Sequence, residues 1–173
     1  VTAAVDVPTW LATARRYDGL REIPGPKHNL TIMEWAARGP AWVKAAYTGD
    51  EIPWCGLFCA GVFRETLPGL KLPANPLSAA AWGPPWGVRL LTPALGAVLV
   101  FKRPGGAHVG FYEGENATHY YVRGGNQGNA VSVVKIEKNR LVKDGIRWPT
   151  GQPLPAGGRV WLTAAASASK NEA

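Results

Sequence analysis

Cysteine, histidine and acidic side chains are scarce in this chain: two Cys, three His and twelve Asp or Glu among 173 residues. Cys55 and Cys59 stand one helical turn apart, where a helix brings side chains near each other but at a poor disulfide geometry, so a disulfide framework is excluded as the stabilising device. His28 and His119 come with no C-x2-C or H-E-x-x-H spacing, which argues against zinc. Gly124-Gly125 is no phosphate loop, because neither Gly-Lys-Ser nor G-x-G-x-x-G opens a helix after a strand. No apolar run reaches the roughly eighteen residues that a spanning helix needs, so membrane insertion is not expected. Val1 is not followed by a charged-then-apolar leader, and any signal peptide is expected to be absent or already removed. The acidic deficit against nineteen Lys and Arg leaves +7 at pH 7. That surplus suits an anionic partner without choosing among nucleic acid, an anionic envelope and simple solubility.

What is abundant is apolar: 46% hydrophobic residues, eight of them Trp. Such a chain can bury a substantial core, and its length suits one domain, expected over residues 1–163 with a disordered polar tail over 164–173. The stretch that organises it is Asp50-Glu51-Ile52-Pro53-Trp54-Cys55-Gly56-Leu57-Phe58-Cys59. Pro53 suits a first helical position, which puts Cys55 in the first turn, where free backbone N–H groups and the helix dipole favour a thiolate. Leu57, Phe58, Val62 and Phe63 carry the helix into a core. A buried structural cysteine is the competing account.

In chain order, residues 8–18 read as a short helix with Thr9 as a possible cap. Gly19 to Asn29 contains Glu22-Ile23-Pro24-Gly25-Pro26-Lys27-His28 and reads as an ordered surface loop. Thr31 with Glu34 is a capping-box pattern starting a second helix that stops by Gly39-Pro40, and Trp42 to Tyr47 is a third. A proline-rich connector follows Thr66, with a helical turn bearing Trp82 after Ser78. Ala94–Phe101, Ala107–Glu113, Thr118–Arg123 and Ala130–Ile136 read as strands joined by turns, with a last one possible at Val160–Thr163. Helices first and a meandering antiparallel sheet after them is the α+β pattern, with the cysteine helix packed on the sheet.

A thiolate attacking a carbonyl needs a base, a group that orients the base, and donors for the oxyanion. His108 opens a strand after Pro104-Gly105-Gly106, and Asn126 sits in the next hairpin turn, so both can reach one end of the sheet. An Asn carbonyl can accept from one imidazole nitrogen while the other pairs with sulfur. The Cys55 backbone N–H is the first candidate oxyanion donor. A satisfied core histidine and a turn asparagine are the plainer readings of each residue alone.

Pro53-Trp54-Cys55-Gly56-Leu57-Phe58-Cys59, Gly96-Ala97-Val98-Leu99-Val100-Phe101, His108-Val109-Gly110-Phe111-Tyr112 and Gly124-Gly125-Asn126-Gln127, in this order, resemble the papain-like peptidoglycan hydrolases of the CHAP and NlpC type. Compact phage and bacterial lysins with an early Glu22-Ile23-Pro24-Gly25 loop are the nearest likeness, over roughly residues 10–136. The resemblance implies a papain-like fold and cleavage of an amide in the murein peptide at the bacterial cell wall, periplasmic or extracellular. Cys55 then matches the nucleophile, His108 the base and Asn126 a polar orienting residue. Many CHAP enzymes carry Glu two residues before that Asn, where this chain has Gly124. The acidic calcium-loop pattern of some CHAP domains is missing, so neither metal nor cofactor is expected. Peptidoglycan is the expected partner of a monomer, with no nucleic acid.

Trp54, Trp82, Glu22 and Gln127 are candidates to contact substrate. Lys27 and His28 can line a groove with Glu22, but an ordinary exposed loop is the commoner account. Trp42 and Trp86 suit sugar platforms or packing. Lys135, Lys138, Arg140, Lys143 and Arg147 read as a solvated basic face able to hold an anionic envelope. A non-catalytic wall- or glycan-binding module and a cysteine acyltransferase are the alternatives.

Overall fold

The computed structural model describes residues 6–163 and 166–172. Four helices lead: α1 (Thr9–Arg16), α2 (Leu30–Ala37), α3 (Ala41–Ala46) and α4 (Cys55–Thr66). Seven strands follow among the described residues: β1 (Val88–Arg89), β2 (Val98–Arg103), β3 (Gly106–Glu115), β4 (His119–Gly124), β5 (Ser132–Glu137), β6 (Leu141–Trp148) and β7 (Ser167–Ala168). They form one sheet in the order β1-β6-β2-β3-β4-β5-β7, antiparallel throughout except for β7 on β5. The fold is α+β, and no helix among the described residues is long and apolar enough to cross a membrane.

The helix starts differ in detail from the expected ones. Pro8 rather than Thr9 precedes α1 as its cap residue. At α2 the Asn29 side chain accepts the Thr31 N–H at 3.0 Å, so Asn29 takes the capping role expected of Thr31. Pro53 lies two residues before the start of α4, whose cap is Trp54 and whose first residue is Cys55. Ala94 to Ala97 is a turn before β2, closed by Ala97 N–H to Ala94 O at 2.9 Å with Gly96 at φ 80°.

β6 was not anticipated, because its charged residues disguised it. It lies inside the sheet between β1 and β2, and Arg147, expected on a basic surface, is buried there with its guanidinium donating to the carbonyls of Trp86 and Gly87. Lys138 and Arg140 are likewise not free charges. Lys138 pairs with the buried Glu115, and Arg140 with the buried Glu172. At 160–163 the structure holds a single bridge, Trp161 to Glu115, rather than a strand. Of the expected disordered tail, 164, 165 and 173 lie outside the described residues. Within 166–172, β7 pairs with β5 and Ser169 N–H donates to Lys135 O at 2.9 Å.

α4 is the centre of the core. Every residue from Cys55 to Phe63 is buried, as expected of a helix covered on all sides. Phe58 and Phe63 pack edge-on against Phe111 of β3, with ring centroids 6.0 and 5.5 Å apart. Trp35 of α2 lies against Phe58, Trp54 and Tyr17. Gly61 is what lets that indole approach, since a Cβ there would stand 2.4 Å from Trp35 Cδ1. Replacing a mid-helix Gly by Ala ordinarily gains about 1 kcal/mol from helix propensity. Here overpacking against an immobilised ring, worth about 1–3 kcal/mol, should win. Gly61→Ala is therefore expected to lower the thermal unfolding midpoint, and a higher midpoint would show that Trp35 yields freely.

Candidate active site

Three pieces of chain meet where α4 begins: Cys55, the start of β3, and the 124–127 turn between β4 and β5. Cys55 sulfur faces the backbone N–H groups of Val109 and Gly56. Val109 immediately follows His108, so the thiol lies against the strand segment that carries the imidazole. Close approach on the other side depends on Gly56, where a Cβ would stand 2.2 Å from Pro76 O. Both cysteines are free and buried, and Cys59 lies wholly inside.

His108 is fully buried, and its Nε2 is 2.9 Å from Gln127 Oε1. The Gln127 amide cannot be turned round, because its Nε2 donates to Val122 O at 3.2 Å and Ser132 O at 2.6 Å. Its oxygen must then face the ring as acceptor. Consequently His108 carries its proton on Nε2, and Nδ1 keeps a lone pair. That Nδ1 is buried and has no hydrogen-bond partner among the described residues. A buried ring nitrogen left open is costly unless it serves a purpose.

The expected orienting residue was Asn126, and the bond is made instead by its neighbour. Asn126 takes the left-handed conformation, φ 57°, that the turn requires, and Gln127 is the residue the turn aims at the ring. Gly124 falls into place with it. A Cβ at 124 would stand 2.6 Å from Gln127 Oε1 and 3.1 Å from His108 Nε2, so this position is kept empty for Gln127.

Of the other expected contacts, Glu22 and Trp54 meet each other: Trp54 Nε1 donates to Glu22 Oε1 at 2.8 Å. This ties the 19–29 loop to the residue preceding Cys55. Trp54 itself is fully buried. Trp82 is also fully buried, stacked on Phe63 and donating to Pro76 O, and it holds the connector onto α4 without offering a face to a ligand. Asp50, which has no assigned role in the sequence reading, anchors the loop by accepting the N–H groups of Ile23 at 2.9 Å and Asn29 at 2.7 Å. Burial opposes its ionisation, but these donors and His28 outweigh it and hold the carboxyl below its ordinary range. His28, Asp50 and Glu51 bring ligand-type atoms within 4.8 Å of one another, but one Asp50 oxygen is already committed to the two loop N–H groups.

The electrostatics describe a neutral resting pair. Burial raises the Cys55 thiol, incompletely offset by the N–H groups of Val109 and Gly56 and by Arg103. The thiolate expected from the helix start is thus not the resting form. Burial pulls His108 from 6.5 down to about 4, against the opposing pull of Glu172 and of the Gln127 bond. Comparison with known proteins finds no matching family model, curated protein or solved structure.

The depressed imidazole has a measurable cost. Between pH 6.5 and 4 the unfolded chain takes up a proton at His108 that the folded chain refuses, so stability falls as pH drops through that window. The loss should reach about 3 kcal/mol near pH 4. Denaturant titrations across the window should show this slope in the wild type and its loss in His108→Gln. Equal slopes would mean that the ring is protonated in the folded protein.

Proposed function

We propose that the chain is a papain-like, cysteine-dependent hydrolase that cleaves an amide in bacterial peptidoglycan peptide, an amidase or endopeptidase serving as a lysin or wall-remodelling enzyme. The observation that carries the reaction class is the open Nδ1 of His108, with its tautomer fixed by Gln127, on the strand against which Cys55 lies. The substrate rests on the sequence resemblance to murein hydrolases. The protein acts at the cell wall, as a monomer and without a cofactor.

In this reading substrate binding brings the thiol proton to His108 Nδ1, and the thiolate adds to the amide carbonyl. The Cys55 N–H and its neighbours at the start of α4 stabilise the oxyanion. The Nδ1 proton then passes to the leaving amine as the C–N bond breaks. A water, deprotonated by the same nitrogen, hydrolyses the thioester and restores the thiol. Gln127 is a positioning residue that supports the imidazolium formed at both steps. The binding-module alternative loses support from the tryptophans, since six of the eight are buried and only Trp42 and Trp161 are exposed.

Mass analysis of fragments released from purified murein tests the proposal, because the new termini identify the bond cut. Cys55→Ala should abolish release while Cys59→Ala retains it, and wild-type release by Cys55→Ala would refute the mechanism. Losing the orienting bond should lower kcat roughly 10- to 100-fold in Gln127→Ala with little change in KM. Asn126→Gly, which keeps the turn conformation, should stay within a few-fold of wild type.

A further inference from the structure

Arg103 and Arg140 both act electrostatically on His108, and both are engaged by residues 171 and 172. Phe101 of β2 is directly opposite His108 of β3, and Arg103, two residues along, projects from the same face of the sheet. Its Nη1 donates to Asn171 Oδ1 at 3.2 Å. Arg140 is fixed next to it by a bond from Nε to Lys102 O at 2.9 Å. Its fork then grips the Glu172 carboxylate, Nη1 to Oε1 at 2.8 Å and Nη2 to Oε2 at 2.6 Å.

A bidentate Arg–carboxylate pair is the geometry by which proteins recognise carboxylates. This one has the Glu side chain entirely withdrawn from solvent. It is carried by residues 166–172, whose backbone ties among the described residues include β7 and the Ser169 bonds to Lys135 and Arg140. Glu172 and His108 also act on each other electrostatically, the carboxylate raising the ring and the ring lowering the carboxylate. A buried carboxylate held by an arginine fork, within electrostatic reach of the imidazole, has the character of a ligand held in cis.

We propose that Arg103 and Arg140 form a carboxylate-binding subsite beside His108, occupied here by Glu172, which a carboxylate-bearing peptide substrate displaces along with residues 166–172. The inference rests on the hydrolase reading for the word substrate, but not for the binding site. It makes the protein selective for acidic peptides and restrained by its own residues 166–172.

The test uses the full chain. In Glu172→Gln the subsite loses its charged occupant, so kcat/KM for a soluble peptide with a free carboxylate near the scissile amide should rise roughly tenfold, mainly through KM, while its carboxamide counterpart changes little. Arg140→Gln should erase the preference for the acid. An activity-independent arm keeps the two readings apart: N-acetylglutamate should raise the unfolding midpoint of Glu172→Gln, and not that of Glu172→Gln combined with Arg140→Gln. Stabilisation with this dependence but no hydrolysis by any variant would uphold the subsite and overturn the hydrolase reading. Hydrolysis with an acid-to-amide ratio indifferent to both substitutions, and no stabilisation by N-acetylglutamate, would overturn the subsite alone.

Discussion

The candidate site depends on one amide that cannot rotate. Gln127 spends its N–H groups on two backbone carbonyls of the β4–β5 hairpin, which leaves its oxygen nothing to face but an imidazole N–H. The tautomer of His108 is thus decided by backbone geometry in a hairpin that contains no reacting atom. The sheet in turn is held to α4 by Phe111 against Phe58 and Phe63, and α4 begins with Cys55. Core packing and site geometry are therefore one problem. A shift of the hairpin relative to the helix would disturb both.

Charge in this molecule is mostly spent internally. Arg147, Lys138 and Arg140 look on paper like a basic face, yet their partners are backbone carbonyls and two buried carboxylates. The +7 surplus remains, but a composition count cannot tell a solvated lysine from one committed to a buried glutamate. Glu115 makes the point most fully: Tyr112, Lys138 and Arg159 all converge on it beneath the 159–162 segment.

Much of the α+β architecture was legible because the chain obeys its two periodicities. The cysteine helix and the three hairpin strands from β3 to β5 lie within a few residues of where the sequence pattern puts them, and Cys55 meets the backbone N–H of Val109, the neighbour of His108. What escaped did so for identifiable reasons. β6 alternates imperfectly, with Lys143-Asp144-Gly145 interrupting its apolar side. The strand at the chain's end carries no sequence signal, since a two-residue parallel pairing is made by backbone groups that every residue has. Asn126 and Gln127 are adjacent polar residues of a turn, and either can accept from an imidazole. Only the positive φ at 126 separates them, and that is a property of the folded turn.

The vacancy at Gly124 has an evolutionary consequence. A Cβ there would overlap the orienting amide oxygen and press on the imidazole. A carboxylate cannot be introduced at 124 while Gln127 keeps its place, and Gln127 cannot be given up first without freeing the ring. Residue 124 can therefore grow only if residue 127 changes too, and the two positions are constrained as a pair.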